Sequence, residues 1–111
     1  MIRTVVGTGK TGFTGDGGKA IAATLASPKF IFVDAHDDVL IVDSENNVVR
    51  KYTVADGSIN RLIGSGKRGT SGLGGPPLDA ELDRPHAVVI APGGSIYVAD
   101  SMNSRILKVM K

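Results

Sequence analysis

Short apolar runs of strand length, separated by polar turns, dominate the chain. Phe30–Val33 and Ala87–Ile90 are continuous apolar runs that come shortly after a proline, which is the pattern of a strand buried on both faces. After a turn-forming segment, Val39–Val42 and Ile96–Ala99 are again apolar and rich in β-branched residues, as strands are. The pattern predicts an all-β chain.

A third strand follows each apolar pair, and a fourth strand follows the first pair. Val48–Val54 and Arg105–Met110 mix apolar with basic residues, which favours a less buried strand. Ala55–Ser58 has the composition of a hairpin turn and leads to a fourth strand at Ile59–Ile63, whose copy is Ile2–Val6. Four short antiparallel strands per unit, more polar toward the outside, predict two four-stranded blades of a β-propeller.

The chain is an internal repeat. Aligning residue 2 with residue 59, a shift of 57 positions, pairs residues 2–54 with residues 59–111 without a gap and gives 15 identities. Six of these are Gly pairs that begin between residues 7 and 18, which chance alignment does not produce. The sequence therefore predicts a single two-blade unit over residues 1–111, with repeat 1 at about 2–58 and repeat 2 at about 59–111.

Two segments carry a family resemblance. Gly7–Gly18 reads Gly-Thr-Gly-Lys-Thr-Gly-Phe-Thr-Gly-Asp-Gly-Gly, and Tyr97–Val109 reads Tyr-Val-Ala-Asp-Ser-Met-Asn-Ser-Arg-Ile-Leu-Lys-Val. Together they resemble the long, Gly-rich bacterial form of the NHL repeat. The two copies differ where Asp16 in the first stands opposite Leu73 and where Val48 stands opposite Arg105. The resemblance implies a six-bladed propeller, of which two repeats are one third.

Composition narrows the chemistry. The 111 residues include 13 Lys and Arg, 11 Asp and Glu, and no Cys, so disulfide scaffolds, thiolate metal sites and thiol catalysis are excluded. A formal charge of +2 is too weak by itself to indicate nucleic acid. No signal peptide or transmembrane segment is recognisable, so we expect no membrane partner. We expect the chain to be cytoplasmic if it is complete and extracytoplasmic if it is excised from a larger protein.

Two motifs imitate ligand-binding loops. Gly7–Gly12 resembles a phosphate-binding loop, but no helix follows it to aim its N-terminus at a phosphate. The same pattern recurs at Gly64–Gly69, which favours a structural turn. The carboxylates of Asp34, Asp37 and Asp38 have no counterparts in the second copy, so they indicate a solvated hairpin and not a calcium loop.

Polar residues recur at matching turns of the two copies. Asp43 and Asn46 in the first correspond to Asp100 and Asn103 in the second. Asp and Asn side chains at such positions bond to nearby backbone groups, so these four are predicted to be structural turn residues. No nucleophile–base pair recurs, no catalytic residue is assigned, and a non-enzymatic protein is favoured.

His86 and its repeat partner Lys29 lie at the start of the two inner strands, where a propeller approaches its central channel. Both are therefore candidates for lining the channel or a ligand. In a ring of three chains, three His86 imidazoles could hold a metal ion such as Zn²⁺ at the axis, and lyase relatives of NHL proteins use channel histidines in this way. The alternating Lys29 side chains oppose a cation, so a metal-assisted lyase or hydrolase is the alternative and no cofactor is the main expectation.

Basic residues offer a second alternative, binding of RNA through a positive propeller face. The basic residues are interleaved with carboxylates, and the few aromatic residues lie mostly within strand patterns; the basic set is Arg50, Lys51, Lys67, Arg68, Arg105 and Lys108. Stacking platforms for bases are therefore lacking. We interpret the basic residues as a solvated outer surface and expect no nucleic-acid partner.

The phase of the repeat predicts an oligomer. The chain begins with an outer strand, residues 2–6, and ends with a third strand that has no outer strand after it. Residues 2–6 could complete the last blade of a neighbouring chain, and such a head-to-tail contact closes into a ring if its rotation fits. We predict a homotrimer with six blades that binds a protein or a small molecule at its face or channel. The same ring could instead be made within one longer chain.

Overall fold

The computed structural model describes residues 1–110. Seven strands carry the fold: β1 Pro28–Val33, β2 Val39–Asp43, β3 Val48–Thr53, β4 Ser58–Ile63, β5 Ala87–Ile90, β6 Ile96–Asp100 and β7 Arg105–Val109. The remaining regular elements are four short 3-10 turns at Ala20–Ala22, Ser44–Asn46, Pro77–Asp79 and Ser101–Asn103. Among residues 1–110 there is no helix with the length and apolar character that crossing a membrane requires.

The strands form two antiparallel sheets, each in sequence order. The first sheet is β1-β2-β3-β4, and the second is β5-β6-β7. Matching pairs keep the same register, since Ile41 lies opposite Arg50 in the first sheet and Val98 lies opposite Leu107 in the second. The prediction of an all-β chain built from two antiparallel sheets is confirmed. The second sheet has three strands within the described chain, and residues 2–6 join neither sheet.

A shared hydrophobic core joins the two sheets. Leu40, Val42, Val49 and Ile63 on the first sheet pack with a group from the second unit that consists of Leu82, Val88 and Val98, and all seven are at most 2% exposed. Burying one such side chain contributes about 1.5–3 kcal/mol. We call the side of each sheet that faces the next unit its outgoing face, and the opposite side its incoming face.

A smaller core lies on the incoming side of the first sheet. It consists of Ala20, Ala23, Ile41 and Ile59. The Gly-rich segment before β1 closes over this core, and it comes so near that a Cβ on Gly15 would lie 2.6 Å from the Ala23 Cβ. Gly15 also has φ 105°, which L side chains rarely adopt. A glycine is therefore required at this approach.

The inner strands differ from the expectation of burial on both faces. In β1, Ile31 and Val33 are 58% and 52% exposed, because no further unit covers the incoming face of the first sheet. Val88 of β5 is 1% exposed, because the first sheet covers it. The apolar sequence of β1 thus marks a surface that the described chain leaves open.

Candidate functional site

A buried carboxylate at the end of β2 organises the first unit. Asp43 is 0% exposed. Its Oδ1 accepts a hydrogen bond from the Ala26 backbone N–H at 2.7 Å, and its Oδ2 accepts one from Asn46 Nδ2 at 2.8 Å. The same Asn46 amide donates to the Gly12 carbonyl at 2.8 Å. Asp43 and Asn46 therefore fix the Gly-rich segment against the sheet.

Arg50 completes this group from β3. Its Nη1 lies 3.2 Å from Asp43 Oδ2, and its Nε lies 3.1 Å from Asp16 Oδ1. The guanidinium also donates to the Thr24 and Thr14 carbonyls at 2.7 and 2.8 Å. We call Asp16, Asp43, Asn46 and Arg50 the first network. The Arg50 side chain is fully buried, so the interpretation of this residue as part of a solvated basic surface is wrong.

The second unit repeats the arrangement around Asp100. This carboxylate is 0% exposed, and it accepts hydrogen bonds from the Asp83 N–H at 2.8 Å and from Asn103 Nδ2 at 2.9 Å. Asn103 in turn donates to the Gly69 carbonyl at 2.8 Å. Arg105 Nε lies 2.7 Å from Asp100 Oδ2. Asp100, Asn103 and Arg105 form the second network.

The two networks obtain their guanidinium from different positions. Arg105 is the repeat partner of Val48, and Arg50 is the partner of Leu107. Positions two apart on a strand share a face, so either position can reach the same carboxylate. Arg50 donates to the Thr24 carbonyl and Arg105 to the equivalent Glu81 carbonyl at 3.1 Å.

This exchange was missed at the level of sequence. The signal was present, because the mismatches of Val48 with Arg105 and of Arg50 with Leu107 lie two positions apart.

The acceptor sites of both carboxylates, Asp43 and Asp100, are occupied by backbone, amide and guanidinium donors. The role of Asp43 and Asp100 is therefore to hold backbone segments in place.

The predicted channel residues lie on the surface. Lys29 and His86 are both exposed, and each lies at the start of an inner strand. The backbone N–H of His86 donates to the Ala99 carbonyl at 3.1 Å, so the residue is joined to β6 through its backbone. β1 and β5 lie beside one another, so the two side chains occupy equivalent places on neighbouring strands. Within residues 1–110, no group of three or more His, Asp or Glu side chains is placed to hold a metal ion.

Arg84 adds a cation that sequence analysis did not single out. It is exposed, with its backbone N–H bonded to Asn47 Oδ1 at 2.9 Å and its φ at 45°. Its repeat partner Ser27 has φ 53°. Two residues beyond Arg84 is His86, so the entrance to the second inner strand carries an arginine and a histidine.

An apolar groove runs beside the free edge of β7. Its volume is about 290 Å³, and its floor includes Ile63, Ala80, Val98 and Val109. The Gly-rich segment from Gly72 to Pro77 forms the opposite wall. In the first unit the corresponding space is filled by β4, so the groove marks the place where the second unit has no fourth strand within residues 1–110.

Comparison with known proteins agrees with this architecture. Residues 82–109 match the model of the NHL repeat, so the chain carries an NHL repeat in its second unit, and the resemblance is confirmed for that segment. No curated protein matches the chain.

Two solved structures from Bacteroides thetaiotaomicron are similar. A protein of unknown function is 26% identical, with a TM-score of 0.77, over 93% of this chain and 26% of its own. A second, named "Putative phosphatase", is 19% identical with a TM-score of 0.71, over 96% of this chain and 26% of its own, and this likeness concerns the fold alone. The chain thus spans about a quarter of the length of either structure.

Proposed function

We propose that this chain is a non-enzymatic binding or scaffold module of NHL-repeat type, whose two sheets are two blades of a six-bladed β-propeller. The observation that carries the proposal is the one face-to-face contact between the two sheets, whose outgoing surface recurs at equivalent positions of the second sheet. The outgoing face of the first sheet packs on the second unit through Leu40 and Val49, and the equivalent outgoing positions of the second sheet are Tyr97 and Ile106. Ile106 is 69% exposed, so the outgoing face of the second sheet offers an apolar surface on which a further sheet could pack.

The binding surface of this module is the end of the channel where the inner strands begin. Lys29, Arg84 and His86 are exposed there, and none of the three takes part in a salt bridge within the described chain. Two fixed cations and an imidazole favour a ligand with carboxylate or phosphate groups, or an acidic segment of a protein. A partner-binding role also suits loops that a rigid scaffold holds in place.

Metal-assisted lyase chemistry at His86 is the alternative enzyme function. It requires imidazoles from other copies, and in a ring the ammonium groups of Lys29 would alternate with them. The RNA alternative requires a continuous basic face. It loses Arg50, which is buried, and Arg105, which is paired with Asp100. The binding module is therefore the better supported function.

Chemical-shift mapping on the isotope-labelled protein tests the proposal. Separate titrations use citrate, inorganic phosphate, an acidic peptide, Zn²⁺ alone and a single-stranded RNA oligonucleotide. We expect an anionic probe to shift resonances of Lys29, Arg84 and His86, and His86→Ala to weaken its binding. The matched control is His36→Ala, which removes the exposed histidine of the β1–β2 turn and should leave binding unchanged.

Other outcomes of these titrations would overturn the proposal. Stoichiometric Zn²⁺ that is lost in His86→Ala would favour the metal-assisted enzyme. RNA binding that falls steeply with added salt would favour the nucleic-acid alternative. Shifts confined to surfaces away from the inner strands would remove the channel end as the binding surface.

A further inference from the structure

We infer that the apolar groove beside β7 receives residues 2–6 of a second copy of this chain, added as the fourth strand of the second sheet. The ring size that follows rests on the proposed function, whereas the groove and its occupant rest on contacts within the chain. Each copy has one such groove and one such segment, so the contact is head-to-tail.

The first sheet shows how the position is filled. Ile59 of β4 is 0% exposed and packs with Ala20, Ala23 and Ile41. The repeat partners of these three residues are Pro77, Ala80 and Val98, and all three line the open groove. The groove therefore has the walls of the Ile59 site without its side chain.

The residue that would correspond to Ile59 is Ile2. These two isoleucines are paired in the repeat alignment, and Ile2 is 97% exposed in the chain. Residues 2–6 pair with no strand among residues 1–110. An exposed isoleucine on an unpaired segment and an apolar groove of the matching repeat position are complementary surfaces.

Backbone groups are also in place for the added strand. In the first unit, Gly17 N–H donates to the Ile59 carbonyl at 2.8 Å, and Ile59 N–H donates to the Gly18 carbonyl at 3.0 Å. The equivalents Gly74 and Gly75 form the wall of the groove. They present the same donor and acceptor, so an incoming Ile2 would make the two hydrogen bonds that Ile59 makes.

Residues 2–6 leave their own unit at the point where β4 leaves the second unit. Gly7 N–H donates to the Ala20 carbonyl at 2.9 Å, as Gly64 N–H, directly after β4, donates to the Pro77 carbonyl at 2.9 Å. Gly7 thus docks on its own unit as Gly64 docks on the unit that follows β4. Residues 2–6 project from this anchor toward the place of a preceding unit.

The repeat alignment fixes the register of the added strand. In the first sheet Tyr52 pairs with Ile59 and Lys51 pairs with Asn60. Moved by one repeat, these pairs become Val109 with Ile2 of the second copy and Lys108 with Arg3 of the second copy. Arg3 and Lys108 then lie on the outgoing side of the sheet, and Ile2 faces the groove on the other side.

The outgoing face of the second sheet and the incoming face of the first sheet are both apolar and exposed. Val89 and Ile106 on the outgoing face of the second sheet are 42% and 69% exposed. Ile31 and Val33 on the incoming face of the first sheet are also exposed, and their partners Val88 and Ile90 already pack in the core between the two units. Strand addition would bring these two apolar faces together, and two blades per chain would close a six-bladed ring as a homotrimer.

Cysteine cross-linking tests the contact directly, because the natural chain has no cysteine. The double variant Arg3→Cys/Lys108→Cys places thiols at a predicted pair. We expect oxidation to give reducible species with the masses of two and three chains. The control is Arg3→Cys/Met110→Cys, which moves one thiol two residues along the chain to the position just after β7, about 7 Å away and beyond the usual span of a disulfide.

A second variant tests the groove itself. Ile2→Ser should weaken assembly at least about tenfold in a concentration series by sedimentation, because it empties the apolar site. Val54→Ser, at an exposed residue in the β3–β4 turn, should leave assembly unchanged. A monomeric wild-type chain, or equal cross-linking of both cysteine pairs, would overturn the inference.

The outcomes separate this inference from the proposed function. In-register cross-linking by a protein that binds none of the ligands would support the contact between copies and contradict the proposed binding function. Ligand binding at the channel end by a protein that does not cross-link would do the reverse. In-register assembly of a size other than three would retain the groove and contradict the six-bladed ring.

Discussion

Replacing Arg50 by leucine tests the first network. Leucine is the natural residue at the equivalent position, Leu107, so the substitution suits this place on the strand. Arg50→Leu removes the ion pairs to Asp43 and Asp16 and the hydrogen bonds to two carbonyls. It leaves the fully buried Asp43 carboxylate without a counter-charge.

The structure sets the size of the effect. Breaking a buried ion pair by removing one partner costs about 3–5 kcal/mol, because an uncompensated charge stays buried. Asp43 keeps its bonds from Ala26 and Asn46, so we expect a loss of about 3 kcal/mol. A domain of this size has a free energy of unfolding of about 5–15 kcal/mol. At a urea dependence of roughly 1.5 kcal/mol per M, the midpoint should fall by about 2 M.

Urea unfolding followed by circular dichroism, at one fixed protein concentration, measures this loss. The matched variant is Arg50→Leu/Val48→Arg, which moves the guanidinium to the position of Arg105 in the second unit. We expect it to recover at least half of the lost free energy of unfolding. Asp16→Leu is the control for the outer ion pair, and because the Asp16 side chain is 33% exposed, it should cost no more than about 1 kcal/mol.

Two results would refute this reasoning. A loss below about 1 kcal/mol in Arg50→Leu would mean that Asp43 does not need the guanidinium. A double variant no more stable than Arg50→Leu would mean that the two strand positions are not equivalent.

Three further predictions concern the turns. Asn103→Ala should lower the free energy of unfolding by about 1–2 kcal/mol in urea, since its amide joins Asp100 to the Gly-rich segment; an unchanged midpoint would contradict this role. Gly17→Ala should lower the free energy of unfolding by about 1 kcal/mol, because Gly17 has a positive φ. Gly64→Ala should lower it by at least about 1 kcal/mol more, because the new Cβ would lie 2.6 Å from a backbone carbonyl oxygen. Equal thermal midpoints of the two variants would refute this difference. Hydrogen bonds from the Ser58 hydroxyl and N–H lower the pKa of the exposed Asp56. The folded state thus favours the carboxylate, and its contribution, present above the unfolded pKa, is lost as the pH falls through the lowered folded pKa. Asp56→Asn should flatten the acid limb of a stability–pH profile, and an unaltered limb would exclude this contribution.

The sequence predicted the strands well because strand signals here are local. Apolar runs bounded by Gly, Pro, Asn and Asp placed β1, β2, β5 and β6 within two residues of their observed bounds. The turn residues Asp43 and Asn46 were found by repetition. The burial of Arg50 was missed, because a mixed apolar and basic strand looks solvated until its partners are known. Those partners, Asp16 and the Thr14 carbonyl, come from a distant segment, and no local pattern brings them together.

The displaced guanidinium also constrains how the two repeats can exchange sequence. A genetic crossover between the repeats that falls between Val48 and Arg50 would join each half to the wrong partner. One product would carry neither arginine beside its Asp, and the other would carry both. Recombination at that point would therefore leave a buried anion without a counter-charge in one product and two crowded cations in the other.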